Sequence, residues 1–192
     1  MKEPVRTGGL SLNVAEADRS VLTFRMGTEM FGVQIANVKE IIEYSSVTPV
    51  PLAQDHVRGV INLRGRIAPV MDLQALFWKR QAEITRRSCI IIVESENAED
   101  SGITGILVDA VSEVLHARAE DMEPPPSFGS NMRHDFLRGM VKTAEGIIII
   151  LDMERLLAVE HPGDLSADMR SFLKEKGAAG VSMPDESGVE KK

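Results

Sequence analysis

The sequence predicts a mainly β protein made of two tandem small barrels with short helices. Three observations carry this. Strand-length runs rich in Val, Ile and Leu recur along the chain, each bounded by Gly, Asn, Asp or Ser. The two halves also align. Residues 32–42 (GVQIANVKEII) match 105–115 (GILVDAVSEVL), and 59–77 (GVINLRGRIAPVMDLQALF) match 139–157 (GMVKTAEGIIIILDMERLL), with a slip absorbed at the turns Arg64-Gly65 and Glu145-Gly146. A solenoid needs three or more units, so two units of about 70 residues point to a duplicated β subdomain. Finally, strands this aliphatic expose adhesive edges unless their sheets close on themselves.

The elements follow in order. Residues 1–19 mix Gly, Pro, Ser and both charges without periodicity and form a flexible lead-in. Residues 21–27 and 31–35 alternate around Gly27-Thr28-Glu29, the pattern of an antiparallel hairpin. Within 37–43, Val38, Ile41 and Ile42 fall at helical spacing, which predicts a short helix capped by Asn37. Pro49 and Pro51 hold the next stretch extended. Strands are expected at 59–63 and 66–73, with Asp72 capping a helical turn through Phe77 and Trp78. The second half repeats this grammar: strands at 88–94 and 103–108, a short helix or bent strand at 110–115, strands at 136–143 and 147–151, and a turn capped by Asp152. Barrel one therefore spans about 20–86, barrel two about 87–150, and a returning helix 151–160. In the segment 161–192, Leu165, Met169 and Leu173 share a helical stripe. The end, from Gly177, lacks the apolar surface to order itself.

Composition narrows the function. Against 22 basic residues stand 29 acidic ones, and aromatics are only 4%, the reverse of what a nucleic-acid binder with stacking platforms needs. No apolar run approaches the ~20 residues that span a bilayer, and the N-terminus has no signal-like core, so a cytoplasmic protein is expected. The single Cys89 excludes an internal disulfide framework and a multi-cysteine zinc site. Its place in the run SCIIIV marks it as a core residue.

Candidate chemistry is sparse. The four histidines (His56, His116, His134, His161) are scattered without metal-ligand spacing. There is no nucleophile elbow and no phosphate loop. Asp72 and Asp152 hold equivalent places in the repeats. An acid/base pair in a small β-barrel enzyme is one reading. Two helix N-caps is the preferred one, because each aspartate follows a strand and opens a helical turn. No catalytic residue, cofactor or metal is expected. Charge is uneven: residues 55–87 hold seven basic against three acidic side chains, and 94–123 hold nine acidic against Arg118 alone. Such bipolarity suits complementary protein partners.

Several motifs together carry a resemblance. These are Phe31-Gly-Val-x-Ile with Val38-Lys-Glu-Ile-Ile, Thr48-Pro-Val-Pro, the run from Arg58 to Leu73 (RGVINLRGRIAPVMDL), the segment from Gly105, Pro124-Pro-Pro-Ser-Phe-Gly, Phe136-Leu-Arg-Gly-Met, and Ile150-Leu-Asp-Met-x-x-Leu-Leu. Over residues 20–160 the chain resembles the CheW-like coupling proteins of chemotaxis. The resemblance implies two packed five-stranded SH3-like barrels. It also implies a non-enzymatic adaptor in a two-component pathway, coupling the cytoplasmic tips of methyl-accepting chemoreceptors to the regulatory domain of the histidine kinase CheA. The protein would be recruited to membrane-associated receptor arrays, with no nucleic-acid partner and no membrane insertion of its own. A coupling protein of a non-flagellar array, as in surface motility, is the alternative. The partner groove is expected to involve Val38, Glu40, Gly59, Val60, Asn62, Arg64 and Gly139, with Glu40 and Arg64 paired at its rim.

Overall fold

A computed structural model describes residues 20–45, 47–94, 103–125 and 136–157. The lead-in 1–19 and the segment 161–192, with its expected helix and tail, lie outside the described residues. In chain order the elements are β1 (Ser20–Met26), β2 (Glu29–Gln34), β3 (Val38–Glu43), β4 (Val57–Leu63), β5 (Arg66–Asp72), α1 (Leu73–Trp78), β6 (Cys89–Glu94), β7 (Ile103–Val108), β8 (Ala110–His116), β9 (Met122–Glu123), β10 (Leu137–Thr143), β11 (Gly146–Leu151) and α2 (Met153–Leu157). The architecture is mainly β, with two sheets and short helices.

Two sequence expectations change. Residues 38–43 form a strand, not a helix capped by Asn37; a 3-10 turn, Ile35–Asn37, precedes it. The apolar spacing there is too short to separate the two periods. β-branched Val38, Ile41 and Ile42 favour the strand, and β6 supplies its ladder, with Ile41 opposite Ile91. The 110–115 segment, expected as a short helix or bent strand, is a strand, β8.

The second change is topological. Sheet A runs β8-β1-β2-β11-β10-β9 and sheet B runs β3-β6-β7-β5-β4. The sheets therefore do not divide at the expected boundary of 86/87. Each repeat gives its first hairpin to the other: β1–β2 pairs in parallel with β11, and β6–β7 in parallel with β5. Equivalent strands have equivalent sequences, so periodicity is blind to which copy a hairpin joins. The chain passes between sheets at two matching places, the turn Ile35–Asn37 and the single residue Asp109 between β7 and β8.

The exchange explains why the strands read as unbroken apolar runs. On β6, β7, β1 and β11 alternate residues face different cores. Ile90, Ile92 and Leu107 pack with Ile61, Ala68 and Val70 inside sheet B. Val21, Ile148 and Ile150 pack with Val141 inside sheet A. Their neighbours Leu22, Phe24, Ile91, Val93, Ile106, Val108, Ile149 and Leu151 form the core between the sheets, completed by Leu73 and Phe77 of α1 and Met153 and Leu156 of α2. A strand buried on both faces has no polar phase. Rings of Phe24, Phe31, Phe77, Trp78 and Phe136 meet at 6.0–6.3 Å in this central layer.

Both sheets curl. In sheet B the edge strands β3 and β4 are brought round to each other, and Thr48, just past β3, exchanges two 2.9 Å backbone hydrogen bonds with Val60 of β4. In sheet A the opposite edges β8 and β9 are joined by residues 117–121 alone. Five residues reach at most about 20 Å, less than a flat six-stranded sheet measures across. Register shifts at Arg58 and at Arg138, equivalent in the repeats, supply bends. Gly59 and Gly139 follow those shifts. A Cβ on Gly59 would lie 2.2 Å from the Thr48 carbonyl oxygen, and one on Gly139 would lie 2.6 Å from Met122 Cγ. Both glycines let the closing segment cross.

Candidate functional site: the seam of sheet B

Six of the seven sequence-predicted residues lie on the two edge strands of sheet B and the turn after β4, although Val38 packs on the core between the sheets. Val38 and Glu40 lie on edge strand β3, Gly59, Val60 and Asn62 on edge strand β4, and Arg64 in the β4–β5 turn. Gly139 does not join them. It sits on β10 in sheet A, at the place equivalent to Gly59.

The turn is built for a two-residue hairpin. Arg64 and Gly65 have φ of 54° and 88°, the left-handed pair of a type I′ turn, and Asn62 Oδ1 accepts a 2.8 Å hydrogen bond from the Gly65 amide. Asn-Gly is the usual choice at such a turn; an arginine bears the αL cost in the first position. Its side chain explains the choice: Nη2 donates to Glu40 Oε2 at 3.1 Å, reaching from the turn to the opposite edge strand. Arg64 is 82% exposed and Glu40 28%, so the pair stands on the rim with its guanidinium in water.

The elements that carry this pair also expose apolar side chains: Ile41 on β3, Val50 and Leu52 just past Thr48, and Ile67 opposite Asn62 on β5. The fully exposed Leu52 also holds φ 61°. Sequence reading missed these exposed side chains. Parity was the available signal: with Ala68 and Val70 buried, Ile67 falls on the outward phase of β5.

Asp72 and Asp152 are separate helix caps in different parts of the fold. Asp72 is wholly buried. Its Oδ1 accepts from the Gln74 and Ala75 amides, at 2.9 and 3.1 Å, and its Oδ2 accepts from the Ala82 amide at 2.8 Å. Arg58 Nε lies 3.7 Å from Oδ2, while its Nη2 donates to the Ala82 carbonyl. Asp152 Oδ1 accepts from the Arg155 amide at 3.1 Å. Both carboxylates are thus occupied by backbone at their own helix starts. Cys89 begins β6 half-buried rather than fully in the core, and burial pushes its thiol up, away from the reactive thiolate. Burial, helped by Lys79 and opposed by Asp55, pushes His56 down. A cavity of about 310 Å³ at the β8–β10 end of sheet A is lined by His116, Glu120, Asp121, Glu123 and Lys142 among others, and by neither capping aspartate. Among the described residues no group of His, Cys, Asp or Glu is arranged to hold a metal, and no helix is long and apolar enough to cross a membrane.

Comparison with known proteins places this geometry. The CheW-like domain model matches residues 20–161. The chain is 34% identical over 148 residues to a probable chemotaxis protein CheW of Rhizobium etli, covering 77% of this chain and 92% of the relative. It is 28% identical to protein FrzA of Myxococcus xanthus, over 74% of this chain and 88% of the relative. Among solved structures it is similar to the scaffolding protein TtCheW of Thermoanaerobacter tengcongensis, with a TM-score of 0.65 at 33% identity, covering 74% of this chain and 90% of that one. A double barrel with exchanged hairpins, matched along its whole described length at this level of identity, means that the chain belongs to the CheW-like family.

Proposed function

We propose that this protein is a non-enzymatic adaptor that couples chemoreceptors to the histidine kinase CheA, with the seam of sheet B as a partner-binding surface. The observation that carries the reading is the match to the CheW-like domain over residues 20–161. The seam supports it. A held arginine–glutamate pair on elements that also expose Ile41, Val50, Leu52 and Ile67 supplies both apolar contact and a polar register, the composition of a protein-binding patch. Occupying two surfaces at once requires no bond to be made or broken. Receptor state passes to the kinase as a shift in the equilibrium the kinase already has.

The test is calorimetry of the purified protein with the regulatory domain of its cognate kinase and with a fragment of the cognate receptor's signalling tip. Each should bind in the micromolar range, and prior saturation with one should leave room for the other. Absence of heat with both overturns the reading. The similarity to FrzA is consistent with a second reading, coupling in a non-flagellar array such as one for surface motility. A deletion strain that swims towards attractant normally but fails to spread on a surface selects it.

A further inference from the structure

Asp109 is the only residue between β7 of sheet B and β8 of sheet A, and it bonds in three directions. Its amide donates to the Arg25 carbonyl of β1 at 3.0 Å. Oδ2 accepts from the Gly27 amide, in the β1–β2 turn of sheet A, at 2.7 Å. Oδ1 accepts from Gln74 Nε2 on α1 at 2.6 Å. Helix α1 continues directly from β5, so this last bond reaches into sheet B. Gln74 is buried, and its backbone amide donates to the capping Asp72, which fixes the start of α1 from which the side chain reaches Asp109.

By the repeat, Asp109 corresponds to Ala36, in the turn Ile35–Asn37, and that turn has no side-chain cap. The sheets also meet through aliphatic and aromatic side chains of the central core. Apolar contact resists separation but sets angle weakly, because packed faces can slide by small shear. Short hydrogen bonds to an ionised carboxylate are directional.

We propose that Asp109 is a positioning residue, the clamp that fixes the angle between the two sheets by tying the β1–β2 turn to α1. The consequence for signalling rests on the adaptor reading: partners docked on different sheets are held at one mutual orientation only while the clamp is closed.

The clamp is tested without any partner. Spin labels are placed at Ile67→Cys on sheet B and Arg138→Cys on sheet A, both exposed strand positions, in a Cys89→Ser background of the full chain. Pulsed dipolar spectroscopy should give one narrow distance with Asp109 intact. Asp109→Ala should broaden it about twofold or move it by a few ångströms, the scale of shear between packed elements. Gln74→Ala, which removes only the arm to sheet B, should do the same and also serves if Asp109→Ala fails to fold. A folded variant whose distribution superimposes on the parent's overturns the clamp. Calorimetry is run on Asp109→Ala and the parent without labels or cysteine substitutions, so that Ile67 of the proposed binding surface is intact: loss of clamp with binding retained supports both readings, and absence of binding in the parent overturns the adaptor reading alone.

Discussion

Arg64 Nη2 meets Glu40 Oε2 at 3.1 Å across the seam of sheet B, where the strands that carry them lie at opposite edges of the sheet order. Backbone closure comes earlier, at Thr48 and Val60, so the ion pair is the side-chain link at the rim. An exposed pair contributes at most about 1 kcal/mol. Arg64→Ala and Glu40→Ala should therefore each shift the urea midpoint only slightly while impairing receptor–kinase coupling in a reconstituted array. The double variant should couple no worse than the worse single. Additive losses, or normal coupling in both singles, would show that the two do not act as a unit.

The turn makes a sharper prediction. Arg64 occupies φ 54° in a type I′ turn where Asn is preferred. Arg64→Asn should be more stable than Arg64→Ala by about 0.5–1 kcal/mol, since both lose the ion pair but asparagine tolerates the αL position better, yet it should lose coupling as Arg64→Ala does. Denaturation and coupling assays on one sample decide it. A variant both more stable and fully coupled would remove the case for a functional arginine here.

What the sequence made legible follows from what periodicity encodes. Residues 21–27 and 31–35 form the expected hairpin, Phe24 opposite Phe31, because pairing across a short turn is local. Asp72 and Asp152 were legible as caps because a carboxylate at a strand-to-helix junction has few other uses. The Glu40–Arg64 contact was legible through the family resemblance, although Glu40 sits on a strand where a helix was expected. The exchange of hairpins was not legible, because β2 and β7 present the same pattern to either copy. Nor was Asp109, whose significance lies in Gly27 and Gln74, remote in sequence and brought to it by the exchange.

The two capping aspartates should differ in cost. Asp152 is a partly exposed cap with one amide bond, and Asp152→Ala should cost about 1 kcal/mol. Asp72 accepts three amides at zero exposure and faces Arg58, which is itself mostly buried. Asp72→Ala leaves that guanidinium and the Ala82 amide without the carboxylate, and breaking a buried pair from one side costs about 3–5 kcal/mol. Equal losses in equilibrium unfolding would contradict this burial difference.

His56 gives a pH dependence with a definite sign. Burial and Lys79 hold its folded pKa below the usual 6.5. The unfolded chain then binds the proton more readily than the folded one. The contribution is fully present above the unfolded pKa of about 6.5, and falls away as pH drops through that value towards the lower folded pKa. Stability measured from pH 7.5 down to about 5.5 should therefore decline more steeply for the parent than for His56→Gln. Parallel curves would mean that His56 titrates alike in both states.

Glycines 59 and 65 lie in one hairpin, both with positive φ, and should respond very differently to alanine. Gly65, at φ 88°, has nothing within 4 Å of where a Cβ would stand, so Gly65→Ala meets only the backbone preference, about 1–2 kcal/mol. Gly59 has φ 145°, a region other residues avoid, and its Cβ would lie 2.2 Å from the Thr48 carbonyl oxygen. That carbonyl accepts the Val60 amide, so the collision falls on the backbone bond that closes the seam. Backbone cannot yield as a side-chain tip does. Gly59→Ala should cost about 3 kcal/mol or more, and its effect should be local before it is global. Hydrogen exchange should show the amides of Thr48 and Val60 losing protection ahead of those of β6 and β7. Uniform loss of protection across sheet B would mean that the seam does not open as a separate unit.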